Sequence, residues 1–324
     1  MLDILRVTFP FFALVLCGFL AARLRLLPLE AIPGLNTFVL YFALPCLLYR
    51  FGATTPIAQL LDAPAIAVYL VCALTMVAFV MAASLNRRIR WNDAAFGALV
   101  AAFPNTGFMG VPLLVALLGV TAAGPAILTI LVDLVVTTSL CIALSRLDGA
   151  SPQGARDAAK NALKAAVANP MPWAIVLGGL ASAWQLTPVA PVMRTLGLLA
   201  DAASPVALFT IGAVLARAQM QARPPAVSAR QPLPLRDWVP VAAVKLVLHP
   251  ALVLGVGSLA TALGAPLDPF ALTVMVLVAA LPSASNVSVL AEKFGADNGR
   301  IARIILLTTA ASFLSFSSAV ALLR

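Results

Sequence analysis

The chain reads Leu99-Val100-Ala101-Ala102-Phe103-Pro104-Asn105-Thr106-Gly107 in one place and Leu277-Val278-Ala279-Ala280-Leu281-Pro282-Ser283-Ala284-Ser285-Asn286 in another. In both stretches an apolar run reaches a proline that is followed by amide or hydroxyl side chains. Proline lacks a backbone N–H and clashes with the preceding helical turn, whereas Asn, Ser and Thr can bond the backbone groups that it frees. The two stretches therefore predict two helices, each broken halfway along.

The sequence around these stretches is much more apolar than that of a soluble protein. Of the 324 residues, 62% are hydrophobic and 10% are charged, whereas soluble domains have about 45–50% and about 25%. Runs of about 20 apolar residues, long enough to cross a membrane, recur along the chain. We therefore expect an all-α integral membrane protein. The formal net charge of +9 is then explained by loops that face lipid headgroups, and we expect no nucleic-acid partner.

Apolar runs bounded by charges, proline and glycine predict ten transmembrane helices. We number these spans one to ten, at residues 3–27, 34–54, 62–86, 92–119, 124–147, 170–188, 191–216, 237–263, 268–296 and 298–323. Polar connectors lie at residues 148–168 and 217–236. Pro45 and Pro205, inside spans two and seven, have few polar neighbours, so we interpret them as kinks that shape a cavity wall.

An internal repeat relates the two halves of the chain. Span one aligns with span six, which places Gly18 on Gly178, and span two aligns with span seven, which places Gly52 on Gly212. The two proline stretches align spans four and nine. Because each copy has an odd number of spans, the second copy enters the membrane from the opposite side. The sequence thus predicts two inverted five-helix repeats, at residues 1–147 and 169–324, with crossed broken helices four and nine.

Basic residues predict the orientation. One side of the membrane receives most of the Lys and Arg residues, in loops at 23–25, 87–90, 146–164, 217–236 and 293–303. The other side has only Arg6, Arg50, Arg194 and Arg324. Since basic loops stay in the cytoplasm, we expect both connectors there and both termini outside. We also expect a bacterial-type inner (cytoplasmic) membrane location.

The two breaks form the candidate substrate site. Half-helices that meet near the midplane direct N-termini, each with about half a positive charge, at a shared point, which favours an anion. The matched polar residues argue against the alternative, in which each proline only kinks its helix. The predicted substrate-binding residues are Pro104, Asn105, Thr106, Gly107, Pro282, Ser283, Ser285 and Asn286.

Four ionisable residues lie inside predicted spans, namely Asp133, Asp201, Lys245 and His249. A charge at that depth costs about 2.5–3.5 kcal/mol even on insertion scales, so each residue suggests pairing or function. Lys245 and His249 share a helix face. His249 fits either a hydrogen-bonded packing residue or a proton relay, and Asp201 either faces the cavity or caps the kink at Pro205.

Other kinds of site have no motif in the sequence. The cysteines lie in apolar runs without CxxC spacing, so we expect no disulfide and no metal site; they are Cys17, Cys46, Cys72 and Cys141. No HExxH, GxSxG or paired intramembrane aspartate motif is present, so we expect neither an enzyme nor a cofactor.

Four segments carry a resemblance over essentially the whole chain. They are Leu35-Asn36-Thr37-Phe38-Val39-Leu40-Tyr41-Phe42-Ala43-Leu44-Pro45, residues 103–112, Asn169-Pro170 and Leu281-Pro282-Ser283-Ala284. In these segments the chain resembles the auxin efflux carrier family, whose bacterial members include proteins assigned to malonate transport. It lacks the long central cytoplasmic loop of the plant auxin carriers.

The resemblance implies an elevator mechanism, usually within a homodimer. Spans three to five and eight to ten would move against a scaffold of spans one, two, six and seven. Asn105 matches the position of an Asn that contacts the substrate carboxylate in the plant carriers. In the related sodium/proton antiporter architecture, an acid and a lysine on the helices of Asp133 and Lys245 approach each other. Here the two would form either a static ion pair or a proton-coupling pair.

These features predict a secondary active transporter of small organic anions, with indole-acetate-like or malonate-like carboxylates as substrates and coupling to protons or sodium. The second hypothesis is a monovalent cation/proton antiporter that uses Asp133. The crossover segments argue against it because they contain no carboxylate, whereas antiporters concentrate acids at the cation site.

Overall fold

The computed structural model describes residues 2–147, 160, 167, 169–186, 188–221 and 234–323. Most of both predicted connectors, 148–168 and 217–236, lies outside these ranges. Apart from an isolated bridge between Pro104 and Ser283, the regular structure within them is helical. We number the main helices α1 Leu2–Arg23, α2 Leu29–Thr54, α3 Ala63–Ser84, α4 Trp91–Ala102, α5 Thr106–Leu118, α6 Val120–Ser145, α7 Pro170–Ala183, α8 Ala190–Gln221, α9 Val239–Ala262, α10 Pro269–Ala279, α11 Asn286–Lys293 and α12 Asn298–Leu323.

Within the described part of the chain, seven helices are long and apolar enough to cross a membrane: α1, α2, α3, α6, α8, α9 and α12. Three more, α5, α7 and α10, are apolar but shorter. Predicted span six corresponds to α7, which is shorter than predicted at 14 residues. The helix ends just before Gln185, whose φ of 53° is not helical. The chain is therefore a multi-pass, all-helical membrane protein.

Five-residue π turns interrupt several helices. In three of them one residue separates the turn from a proline: Pro45, Pro112 and Pro250. Proline cannot donate a backbone hydrogen bond, so the helix lacks one bond at that position. The wider π turn before each proline changes the backbone hydrogen-bond spacing there. The turn Asp133–Thr137 in α6 contains no proline. π turns are frequent at functional sites, and two of the predicted intramembrane charges, Asp133 and Lys245, lie in such turns.

The chain divides into two compact units. The first consists of Met1–Asp62, Thr106–Leu128 and Asn169–Arg223, and the second of Ala63–Asn105, Thr129–Ala168 and Pro224–Arg324. Helices α1, α2, α5, α7, α8 and the start of α6 belong to the first unit. Helices α3, α4, α9 to α12 and the rest of α6 belong to the second. The boundary therefore falls inside predicted spans four and five.

Glycines bring two helix pairs of the first unit into backbone contact. A Cβ atom on Gly18 would overlap the backbone of α8, and one on Gly212 would overlap the backbone of α1. A Cβ atom on Gly178 would lie 3.0 Å from the Cα atom of Gly52, which joins α7 to α2. The repeat alignment equates Gly18 with Gly178 and Gly52 with Gly212. The same contact is thus made twice by aligned residues.

We expect Gly212→Ala to lower the free energy of unfolding by about 1–3 kcal/mol, because overpacking forces the two backbones apart. Gly197 is on the same helix, and a Cβ atom there meets nothing within 4 Å. Gly197→Ala is therefore the matched control and should be neutral or slightly stabilising, since Ala favours helix more than Gly does. Thermal unfolding of the purified variants in detergent measures the difference. Equal unfolding temperatures would contradict the close contact.

Helices α4 and α10 form the core of the second unit. Every residue from Ala94 to Ala102 is buried, and so is every residue from Val274 to Ala279. Helices that are apolar on all faces are buried on all faces. Both lead directly into the proline segments, which are therefore held in the interior of the unit.

Candidate functional site

The helix breaks that the sequence predicts are present at both prolines. Helix α4 ends at Ala102, and Phe103 turns to an extended conformation with φ −99° and ψ 99°. Helix α10 ends at Ala279, and the next helical residue is Asn286. Spans four and nine are therefore pairs of half-helices, α4 with α5 and α10 with α11.

The two breaks pair with each other through their backbones. Pro104 and Ser283 form an antiparallel bridge. The Asn105 N–H donates to the Pro282 carbonyl at 2.8 Å, and the Ala284 N–H donates to the Phe103 carbonyl at 2.9 Å. Non-helical backbone at membrane depth requires internal partners, and each break supplies them to the other. Pro104 and Pro282 thus serve to hold the two segments in an extended, paired form.

The polar side chains at the breaks are buried but not fully satisfied. Asn105 is 4% exposed, Ser283 1% and Ser285 8%. The Ser283 hydroxyl and the Asn286 side-chain oxygen have no hydrogen-bond partner among the described residues. A buried polar atom without a partner costs about 1–3 kcal/mol. These atoms are therefore available to a polar ligand.

Thr106 and Gly107, the remaining predicted site residues, begin α5 in the first unit. Thr106 is fully buried, and its hydroxyl also has no partner among the described residues. One further residue of the second unit was not predicted. The Thr308 hydroxyl, on α12, accepts the Ser283 N–H at 3.3 Å.

The N-terminus of α11 points its positive end into the break. Helix α11 begins at Asn286 and has eight residues. The side chain of its N-cap residue, Ser285, makes no hydrogen bond to the first turn. The aligned peptide dipoles place about half a positive charge at such an end. Together with the Ser283 hydroxyl, which can donate a hydrogen bond, this end can bind an anion.

A second polar cluster lies within the second unit around Asp133. The Tyr69 hydroxyl donates to Asp133 Oδ2 at 2.9 Å, and the Thr137 hydroxyl donates to Asp133 Oδ1 at 3.1 Å. Tyr69 and Asp133 are fully buried. Both carboxyl oxygens of Asp133 therefore have hydroxyl partners within the second unit. Tyr69 was missed from the sequence because its link to Asp133 is made only by the fold.

Lys245 joins this region to the broken helix α10. Its fully buried ammonium group donates to the carbonyl of Ala279 at 2.8 Å and lies 3.0 Å from His249 Nδ1. Ala279 is the last residue of α10. A cation at a helix C-terminus offsets the negative end of the helix dipole, so Lys245 stabilises the end that Pro282 leaves open.

The expected direct ion pair between Asp133 and Lys245 is not present in the described structure. The carboxylate binds hydroxyl groups of α3 and α6, whereas the ammonium binds a carbonyl of α10. The two charges are still close enough to interact electrostatically through the protein interior. The reason for the difference is local: hydroxyl donors and a freed helix carbonyl lie nearer to each charge than the opposite charge does.

The other two predicted ionisable residues have different environments. His249 is fully buried, and its Nε2 has no partner among the described residues. If Lys245 donates to Nδ1, then Nε2 carries the ring proton. Asp201 belongs to the first unit, where it accepts from Arg50 at 2.7 Å with 69% of its side chain exposed. Its partner is thus a residue of α2.

Arg300 is a residue whose role the sequence did not reveal. Its position among basic loop residues assigned it to the cytoplasmic surface, but its side chain is buried and only 2% of the residue is exposed. Its guanidinium donates to the carbonyls of Asp237 at 2.7 Å and Asp93 at 2.8 Å. Gly97 leaves room for it, because a Cβ atom there would lie 2.7 Å from Nη1. Arg300 thus ties α12 to the starts of α4 and α9.

Comparison with known proteins identifies the family of the chain. A family model described as a membrane transport protein matches residues 4–319. The chain belongs to this family. It is the auxin efflux carrier family that the motifs resemble, and its members are transporters, not enzymes.

Two relatives of this transporter align over nearly their whole length. A protein of Rhizobium meliloti (strain 1021), named "Putative malonate transporter", is 32% identical over 325 residues, which cover 100% of this chain and 97% of the relative. An "Uncharacterized transporter" of Methanothermobacter thermautotrophicus is 27% identical over 305 residues, covering 93% and 92%. No group of His, Cys, Asp and Glu side chains in the described ranges is arranged to hold a metal ion.

Proposed function

We propose that this transporter is a secondary active carrier of small organic anions that bind at the paired breaks. The observation that carries the proposal is the buried Ser283 hydroxyl, which has no partner among the described residues and can donate a hydrogen bond, beside the uncapped N-terminus of α11. Asn105 is buried in the break that pairs with this one, and its side chain supplies an amide group. Amide and hydroxyl donors around a positive helix end are suited to a carboxylate.

The charges around the breaks favour an anion over a cation. Helix α10 ends at the breaks with its negative end, which alone would attract a cation. Lys245 occupies that end through its bond to the Ala279 carbonyl, so the positive end of α11 dominates the field. The residues at the breaks, 103–105 and 280–286, include no carboxylate. This is also what argues against the second hypothesis, a cation/proton antiporter that uses Asp133.

Malonate is the substrate that we propose to test first. The name of the Rhizobium meliloti relative supports a dicarboxylate, and the site itself calls for at least one carboxylate. Indole-acetate-like anions are the other class that the family suggests. Both present a carboxylate to the same amide and hydroxyl groups.

We expect Asn105→Ala and Asn286→Ala each to weaken malonate binding at least tenfold, about 1.4 kcal/mol. Each change removes an amide while the paired backbone of the breaks stays in place. Isothermal titration of the purified variants measures the dissociation constant, and Ser288→Ala, further along α11, is the control. Wild-type affinity in a folded Asn105→Ala/Asn286→Ala variant would remove the breaks from the binding site.

We further propose that transport proceeds by an elevator movement of the second unit. The division into two compact units supports this, because an elevator needs one body that carries the substrate and one that does not. The paired breaks lie in the second unit, apart from Thr106 and Gly107. Spin labels on the two units should change their separation when malonate is added, and an unchanged distance distribution would count against the movement. Homodimer assembly stays a prediction from the resemblance.

The proposed orientation in an inner membrane has both termini outside. Leu26 and Leu263 are matched reporters, since they are 77% and 79% exposed and are predicted to lie on opposite sides. In a variant without the native cysteines, an impermeant thiol reagent should label Leu263→Cys on intact cells but not Leu26→Cys. The reverse pattern would invert the orientation.

A further inference from the structure

The second unit contains a cavity that the transport site does not use. Its volume is about 130 Å³, and it lies between the end of α3 and the start of α9. At about 30 Å³ for each water molecule in the liquid, it has room for about four waters, which is similar to a phosphate group. Most of its wall is apolar, and its polar rim consists of Ser84, Asn86, Arg236 and Asp237.

Two arginines lie against the Asp237 carboxylate: Arg236 belongs to the rim, and Arg88 lies beside it. Arg88 Nη1 lies 3.5 Å from Asp237 Oδ2, and Arg236 Nε lies 3.9 Å from Asp237 Oδ1. Both distances are too long for good hydrogen bonds. The Asp237 side chain is 6% exposed, and its Oδ2 has no hydrogen-bond partner among the described residues. The rim therefore combines an excess cation with a buried acceptor that needs a donor.

The neighbouring carboxylates are arranged around Arg300 rather than around Arg88 and Arg236. Arg300 is surrounded by Asp93, Asp237 and Asp297. Asp93 accepts the Asp297 N–H, and Asp297 accepts the Arg300 N–H at the start of α12. The carboxylates of Asp93 and Asp297 thus serve the Arg300 guanidinium and helix N-termini, which attract carboxylates. Among the described residues, Arg88 and Arg236 both pair with Asp237, whose carboxylate also faces Arg300.

The loop that carries Arg88 is fixed in shape. The Asn86 side-chain oxygen accepts the N–H groups of Arg88 at 2.8 Å and Ile89 at 2.9 Å, and the Asn86 amide donates to the Ser84 carbonyl at 3.1 Å. These bonds form a turn built by an Asn side chain. The rim is therefore preorganised, which lowers the entropic cost of binding.

The cavity lies where a membrane-spanning segment leaves the membrane. Helix α3 ends at Ser84 and α9 begins at Val239, so both elements meet the same membrane surface. Trp91 begins α4, and Trp238 directly precedes α9. Tryptophan is enriched at the level of lipid headgroups. Apolar walls below an arginine rim suit a molecule with a charged head and an apolar body.

We propose that this cavity binds the headgroup of an anionic phospholipid of the phosphatidylglycerol type. The phosphate lies between Arg88 and Arg236, and a headgroup hydroxyl donates to Asp237 Oδ2. The glycerol backbone and the start of the acyl chains lie against the apolar side chains of α3 and α9, such as Phe79 and Val244. A free anion would not use these walls, which is why we assign the site to a lipid.

Native mass spectrometry of the delipidated protein in detergent tests the proposal. Phosphatidylglycerol should bind at least fivefold more tightly than phosphatidylcholine, which has neither a net charge nor a hydroxyl, and than phosphatidylethanolamine, which has no net charge. Arg88→Gln/Arg236→Gln should lose the preference. Lys293→Gln/Arg303→Gln removes the same charge from the same unit but away from the cavity, so it should keep the preference.

Three results would overturn the lipid site. Equal binding of the three lipids to the wild-type protein would show that neither the charge nor the hydroxyl group of the lipid headgroup matters. Equal loss in the two double variants would reduce the effect to general surface charge. Displacement of the lipid by glycerol 1-phosphate at comparable concentration would identify a site for soluble phosphates. Unchanged thermal unfolding of each variant without lipid confirms that the comparison is between folded proteins.

Discussion

Arg300→Met is expected to lower the free energy of unfolding by about 3–5 kcal/mol, the usual cost of removing one partner from a buried charged network. The guanidinium donates to the carbonyls of Asp237 and Asp93. Without it, both acceptors lose their donor, and the carboxylates near the starts of α4, α9 and α12 lose their buried cation. The side chain of Met fills part of the volume but replaces neither the charge nor the bonds.

Arg303→Met is the matched control, since it removes the same group one turn further along α12 from a half-buried position. It should cost less than about 1 kcal/mol, as surface charges usually do. Thermal unfolding in detergent and the yield of folded protein compare the two variants. A second variant, Gly97→Ala, should destabilise in the same direction, because its Cβ atom would displace the guanidinium. Equal stability of the two Met variants would show that Arg300 does not hold these helices together.

Arg300 also shows where sequence reasoning stops. The rule that basic loops stay in the cytoplasm counts charges by position along the chain, and it cannot distinguish an exposed arginine from one that the fold covers. The space beside Gly97 and the carbonyls at the starts of two other helices exist only after α4, α9 and α12 have packed. No local pattern around Arg300 contains that information.

The helix breaks were predictable for the opposite reason. Pro104 and Pro282 act on the turn that precedes them, so their effect depends on neighbours in the sequence. The identity of the partner was partly accessible too, because the repeat matched the two stretches. The backbone bonds between Asn105 and Pro282, and the support of Ser283 by Thr308, required the structure.

The partners of Asp133 and Lys245 were predicted less well. Tyr69, which binds Asp133, lies 64 residues away in the sequence, and the Ala279 carbonyl that binds Lys245 becomes available only because α10 ends there. A buried charge takes the strongest donor or acceptor within reach, and sequence spacing alone does not rank these. The analogy with the sodium/proton antiporter architecture suggested that each charge would pair with the other. In the fold, Asp133 binds hydroxyl groups and Lys245 binds the end of a helix.

Lys245→Met should be among the most damaging substitutions in this transporter, at about 3–5 kcal/mol of stability. It leaves the Ala279 carbonyl without its donor and Asp133 without a compensating charge. A double-mutant cycle with Asp133→Asn then measures how strongly the two charges couple. Because they do not touch, we expect a weaker coupling than between Tyr69→Phe and Asp133→Asn, whose side chains share a bond of 2.9 Å. If the coupling energy between Lys245 and Asp133 is the larger of the two, the two charges form a direct ion pair in the folded protein.

Stability does not decide whether Asp133 moves protons, because a static charge and a proton switch give the same cycle. We propose that Asp133 couples transport to a proton gradient by taking up a proton when its hydroxyl partners or its distance to Lys245 change. In Asp133→Asn the side chain keeps its size but cannot exchange a proton. Accumulation of malonate in proteoliposomes should then lose its dependence on a pH gradient, while exchange of internal for external malonate persists.

Asp201→Asn is the control for this experiment, since it makes the same chemical change in the first unit, where Asp201 is paired with Arg50 and largely exposed. It should keep gradient-driven accumulation. If Asp133→Asn also keeps it while remaining folded, Asp133 is not the coupling group. His249 would then be the next residue to test, because its Nε2 is buried without a partner in the described residues and its Nδ1 faces the Lys245 ammonium. Loss of accumulation in Asp201→Asn alone would instead place the coupling in the first unit.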